Sequence, residues 1–115
     1  MQVSTIGLAL AKRIFQVHGV DAAGKPVLRR KLQRNEGLRF VKGLSAPCLV
    51  GIEACGTAHD WARAIRTLGH EVRRLPPSSV KPYVKRGKTD AADAEAICEA
   101  VTRPAMRCVS NKTAE

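Results

Sequence analysis

The chain predicts a mixed α/β layer fold, with helices covering a five-stranded sheet. Three observations carry this expectation. The first third holds three short strand-like segments joined by tight links, which implies an antiparallel meander. Cys48-Leu49-Val50-Gly51-Ile52 is an unbroken apolar run, the composition of a central parallel strand covered on both faces. After it, helical and strand patterns alternate. A length of 115 residues fits one domain with a core of its own. Aromatics are only 3%, so that core is built mainly from Val, Leu, Ile and Ala.

The elements follow in order. Val3 to Leu10 is short, apolar and flanked by charge, a buried strand. Arg13 to Val20 alternates, with Phe15 and Val17 on one face and Gln16 and His18 on the other. Asp21-Ala22-Ala23-Gly24-Lys25-Pro26 is a turn cluster. Val27 to Arg34 makes a third strand, basic at its exposed positions, and Asn35 is the expected N-cap of a short helix through Leu44 with Leu38 and Val41 facing inward. Pro47 ends that connection. The apolar run to Ile52 comes next, then a helix from Thr57 to Leu68 with Ala58, Trp61, Ala62, Ile65 and Leu68 on its stripe and Gly69 at C′. His70 to Leu75 is a fifth strand, closed by Pro76-Pro77. A polar, basic connection leads to a last helix beginning near Thr89, and from Pro104 the pattern weakens.

Charge narrows the partners. Twenty Lys and Arg against ten Asp and Glu leave a formal charge of +10, which favours a polyanion, nucleic acid first. No long apolar run or basic amphipathic helix points to a membrane. Cys48, Cys55, Cys98 and Cys108 form no C-x-x-C pair and no metal-ligand spacing with histidine, so they read as buried thiols in a reducing compartment. The N-terminus lacks the pattern of a signal peptide, which makes the cytoplasm the expected location.

The densest signal is Lys85-Arg86-Gly87-Lys88-Thr89-Asp90-Ala91-Ala92-Asp93. In a helix starting near Thr89, Asp90 and Asp93 share a face with Ala94, Ile97 and Val101, while Glu95 and Glu99 point to water. First-turn aspartates suit the helix dipole, and Thr89 suits a cap. Carboxylates on a core-facing side equally suit a divalent cation, because unpaired burial of charge is costly. Glu53, after Ile52 and before the small residues Ala54-Cys55-Gly56, stands where ligands gather in α/β sheets, though it also suits electrostatic support of the next helix. Glu53, Asp90 and Asp93 together offer hard oxygen ligands for Mg²⁺ or Mn²⁺ and a phosphoryl-transfer centre. Lys81, Lys85, Arg86 and Lys88 are placed to hold a phosphate backbone or simply to solvate a loop, and the same pair of alternatives applies to Lys12 and Arg13.

Ile6-Gly7-Leu8, Glu53-Ala54-Cys55-Gly56, Pro82-x-Val84-Lys85, Lys88-x-Asp90-Ala91-Ala92-Asp93-Ala94 and Thr102-Arg103-Pro104 resemble the N-terminal catalytic domain of the IS110 family of insertion-sequence transposases, which includes the Piv-type DNA invertases. The resemblance covers essentially the whole chain. It implies a RuvC-like, ribonuclease-H-type fold over residues 1–103 and the start of a loose linker over 104–115. It implies an Asp-Glu-Asp-Asp set that binds Mg²⁺ and acts on DNA strands. It also implies a second domain carrying a serine nucleophile, an element-encoded guide RNA, and homo-oligomers of the full-length protein.

Glu53, Asp90 and Asp93 match the second, third and fourth acidic positions of that set. The first is occupied by Ala9, which cannot ligate a metal. The sequence ends at Glu115, before the expected second domain. The expectation is therefore a transposase domain that is truncated, binds Mg²⁺ or Mn²⁺ weakly or not at all, and is inactive alone. The alternative is a non-enzymatic basic module that binds RNA or DNA.

Overall fold

The computed structural model describes residues 3–10, 14–44, 47–54, 58–84 and 90–103, and for Asp90 the backbone alone. Strands β1 (Thr5–Leu10), β2 (Ile14–Val20) and β3 (Pro26–Gln33) come first, then helix α1 (Arg34–Lys42), strand β4 (Leu49–Glu53), helix α2 (Ala58–Thr67) and strand β5 (Glu71–Leu75). Helix α3 (Pro77–Val80), a 3-10 turn (Lys81–Tyr83) and helix α4 (Asp90–Val101) complete the order.

The strands form one sheet in the order β3-β2-β1-β4-β5. The meander is present: β2 is antiparallel to both β1 and β3. The apolar run is the expected interior strand, with β4 parallel to β1 on one side and β5 on the other. This five-stranded mixed sheet flanked by helices is a ribonuclease-H-like fold.

Strand alternation divides the side chains between two faces. Ile6, Leu8, Phe15, Val17, Val50, Ile52 and Val72 meet Val41 of α1 and Ala58, Ala62 and Ile65 of α2. Trp61 lies beside Phe15, ring centroids 4.6 Å apart and nearly perpendicular. On the opposite face, Ala9 and Leu75 pack with Ala94, Ile97 and Val101 of α4 and with Val80 of α3. This face needs glycine: a Cβ on Gly7 would run into the α4 backbone at Ala94 and Cys98, and one on Gly51 would come within 2.9 Å of Val101.

The structure corrects several expectations. The N-cap of α1 is Gln33, not Asn35. Gln33 and Glu36 form a reciprocal capping box, in which the Gln33 backbone N–H donates to Glu36 Oε1 at 2.9 Å. Asn35 falls inside the helix because Arg34 already opens it. The stretch after Pro76 is not all irregular: Pro77 sits in the first turn of α3, where its missing N–H costs nothing, and Pro82 does the same in the 3-10 turn. Gly69 holds the expected left-handed position, φ 96°. The expected start at Thr57, the Thr89 cap, Cys55, Cys108 and segment 104–115 lie outside the described residues.

Buried polar groups find partners. His70, 5% exposed, lies within hydrogen-bond reach of the Val41 carbonyl through Nε2 and accepts at Nδ1 from the Cys48 backbone N–H, both at 3.0 Å. That ties α1 to the entrances of β4 and β5. Cys48 and Cys98 are buried thiols outside any disulfide, each directed at a backbone carbonyl, of Val3 and Thr5 respectively. Burial pushes both upward, Cys98 to about 12 with further repulsion from Glu95 and Glu99, against a lowering backbone hydrogen bond from Gly7.

Candidate carboxylate centre

Glu53 is the last residue of β4 rather than the residue after it. Parallel pairing runs from Thr5↔Leu49 to Leu8↔Ile52, so the next residues, Ala9 and Glu53, stand side by side at the carboxyl ends of the two central strands. Their side chains share the face covered by α4, since alternation puts both on the side of Gly7 and Gly51. Ala54 is anchored there by its N–H, which donates to the Leu75 carbonyl at 2.7 Å.

Helix α4 supplies the second carboxylate. It crosses β1, β2 and β4. Its inward residues Ala94 and Ile97 belong to the same cluster as Ala9, which places Asp93, one residue before Ala94, at the rim of that cluster. Asp93 and Glu53 feel each other: burial pushes the Glu53 carboxyl above its ordinary range, and the negative charge of Asp93 pushes it further. Residues of separate elements thus converge as carboxylates at one end of the sheet. Asp90 opens the same helix; its side chain lies outside the described residues.

Ala9 is 7% exposed, and its methyl closes the apolar cluster beside the two carboxylates. The oxygen donors suit a hard divalent cation, which would relieve the repulsion between them. The set is thin: among the described residues no group of three or more His, Cys, Asp and Glu side chains gathers closely enough to hold a metal ion. The chemistry fits one loosely held ion completed by water or phosphate oxygens, with a hydrocarbon surface where a further ligand would stand.

Of the basic residues singled out, Lys81 is exposed at the start of the 3-10 turn. Lys12, Arg13, Lys85, Arg86 and Lys88 lie outside the described residues. Glu95 and Glu99 do not simply face water as predicted. They are half-buried and, with His18, Cys98, Thr102 and Arg103, line a cavity of about 430 Å³ between α4 and β2. Glu99 also pairs with Arg103 at 2.8 Å, and the Arg103 guanidinium lies 5.5 Å from the Tyr83 ring centre. A helical wheel misses this because β2 flanks α4 on the side that the wheel assigns to solvent.

The sheet order defines the class as ribonuclease-H-like, with Glu53 at the carboxyl end of β4 and Asp93 on the crossing helix. The family comparison agrees with that class. The profile of the DEDD-type IS110 family, described as "Transposase", matches residues 6–115, and the chain belongs to that transposase family. It is 58% identical over 115 residues to a probable family 20 transposase of Pseudomonas aeruginosa, covering 100% of this chain and 34% of that protein. It is 51% identical over 114 residues to a putative transposase of Sinorhizobium fredii, with 99% and 29% covered. With the transposase for insertion sequence element IS1111A of Coxiella burnetii it shares 40% over 113 residues, with 98% and 31% covered. The chain thus spans about a third of the length of these relatives. No helix among the described residues is long and apolar enough to cross a membrane.

Proposed function

We propose that residues 1–103 form the strand-acting domain of a DNA transposase, with a divalent-cation centre of Glu53, Asp93 and Asp90 that lacks its first ligand at Ala9. Residues 104–115 begin a linker. Mg²⁺ or Mn²⁺ is the cation, and when bound it supplies Lewis-acid stabilisation of a phosphodiester oxygen. Glu53 and Asp93 orient it. Lys12, Arg13, Lys81, Lys85, Arg86 and Lys88 hold the DNA backbone. An element-encoded guide RNA, a homo-oligomeric full-length protein and a cytoplasmic location complete the proposal. With alanine at position 9 the chain is catalytically incompetent alone, and DNA binding is its surviving property.

One observation supports this reading: Glu53 ends β4 in the row next to Ala9, half-buried, with its carboxyl raised by burial and further by the negative charge of Asp93 on α4. The test is parallel Mn²⁺ calorimetry on the chain and on Ala9→Asp. The expected outcome is weak or no binding for the chain and clear binding for the variant. The variant is also expected to melt lower than the chain without metal, because it adds a charge at a 7% exposed position, and to recover with Mn²⁺. No Mn²⁺ binding by a folded Ala9→Asp protein would refute the centre. That result would favour the second reading, a non-enzymatic RNA- or DNA-binding module, which the formal charge of +10 supports.

A further inference from the structure

The sheet register carries the carboxylate row on to the basic edge strand. Ala9 pairs with Gln16, and Gln16 pairs with Lys31. Glu53, Ala9, Gln16 and Lys31 therefore form one transverse row on the face covered by α4. At the usual spacing of neighbouring strands, the Lys31 backbone lies roughly 10 Å from Ala9 and roughly 14 Å from Glu53. The next row repeats the sign: Gly7 pairs with His18, and His18 with Arg29. Arg29 and Lys31 are thus neighbours on one face of β3, both exposed, and neither has an acidic partner among the described residues.

A cavity lies beside Arg29 at the start of α4. Gln16, His18, Arg29, Ala91, Ala92 and Glu95 line it, and its volume is about 170 Å³. Ala91 and Ala92 put methyl groups there, and among the described residues Glu95 is its acidic lining residue. Gln16 is spent on the scaffold: its Nε2 donates to the Arg30 carbonyl at 3.2 Å. Arg30, between the two cations, points to the other face, where its guanidinium lies 5.4 Å from the Phe40 ring centre. Alternation thus sorts the Arg29-Arg30-Lys31 run, with two charges beside the carboxylate centre and one away from it.

Taking a DNA strand at Glu53 and Asp93 as proposed above, we infer that Arg29 and Lys31 are phosphate-binding residues that hold the same DNA backbone where it leaves the centre over the β2–β3 edge. Charge complementarity identifies the ligand group. Two cations on one strand face, with no acidic partner among the described residues, match successive phosphates, and their contacts position the strand without reading its sequence.

The experiment compares two double variants of this chain, each removing two positive charges. Arg29→Gln with Lys31→Gln empties the α4 face; Arg30→Gln with Lys42→Gln removes the same charge from the opposite face. Binding of a short DNA duplex is measured by fluorescence anisotropy in EDTA at several salt concentrations, with folding checked by circular dichroism. The first pair is expected to raise Kd about tenfold and to make the salt slope shallower by about 1.8, as two lost phosphate contacts require. The second pair is expected to move Kd less than twofold. Equal losses for both pairs would mean that only bulk charge matters and would overturn the inference. So would no binding by the parent chain, or a face-specific loss seen with an RNA duplex and not with DNA. None of these results bears on the Mn²⁺ titration of Ala9→Asp, which tests the carboxylate centre separately.

Discussion

The two faces of the sheet are built from side chains of opposite size. Toward α1 and α2 the sheet presents Ile6, Leu8, Phe15, Val17, Val50 and Ile52, and the helices stand off on that thickness. Toward α4 the central strands present Gly7, Ala9 and Gly51, and the helix lays its backbone at Ala94 and Cys98 over Gly7 and the Ile97 and Val101 side chains over Gly51. One face is filled by volume, the other by close backbone approach. The lesson concerns function: the carboxylates belong to the thin face. A helix lying directly on the strands carries Asp93 near enough for its charge to help raise the Glu53 carboxyl.

The contrast breaks most sharply at Gly7. Gly7→Ala adds one methyl where the α4 backbone already lies, and backbone cannot step aside as a flexible side chain does. α4 must lift, exposing Ile97 and Val101, a loss of about 5 kcal/mol at the usual value of buried aliphatic side chains. Urea unfolding is expected to find little or no native state. A variant as stable as the parent would mean that the face is not closed by close approach.

On the thick face the expected failure is a hole rather than a clash. Phe15→Ala removes a ring packed against Trp61 and is expected to cost about 3–5 kcal/mol by urea unfolding, with the fold retained. It is also expected to leave Mn²⁺ binding in the Ala9→Asp background unchanged, since the ring lies on the opposite side of the sheet from Glu53. A metal affinity that fell with it would show the faces to be coupled.

The smallest effect sharpens the comparison through pH. Cys98 sits in the thin face with its ionisation pushed up to about 12 from an ordinary 9.0. The folded state thus holds its proton where the unfolded chain releases it, so native stability falls as pH rises from about 9 toward 12 and is untouched below that window. Cys98→Ala is expected to flatten the alkaline limb of the stability curve relative to the parent. Superimposable alkaline limbs would mean that Cys98 is solvated.

Most of this architecture was legible in the sequence because the elements carry their own periods. Phe15-Gln16-Val17-His18 alternates, the run to Ile52 lacks polar positions, and the α2 stripe repeats at helical spacing, so strand order and class followed. The N-cap of α1 was misread because Asn is a favoured cap by type and Gln is not. The distinction lies in Glu36, whose side chain reaches back to Gln33. Glu53 and Asp93 were grouped in one carboxylate set by residue type and position, while how near they come depends on how closely α4 lies on Gly7. Glu95 and Glu99 were misplaced because a wheel knows one helix and not the strand beside it. Arg29 and Lys31 were legible only as part of a basic strand: alternation separates them from Arg30, and the register against β2 decides which side lies under α4.

The order of elements along the chain has a consequence in time. Ala9 and Glu53 stand together as soon as β1 and β4 pair, yet Asp93 arrives on α4, the last helix described. A growing polypeptide that has emerged only as far as β5 holds its strands and two of its longer helices, but only one member of the charged pair. The two carboxylates therefore come together only as the domain closes. Under the function proposed above, partially synthesised chains present the basic strand β3 before they present both carboxylates.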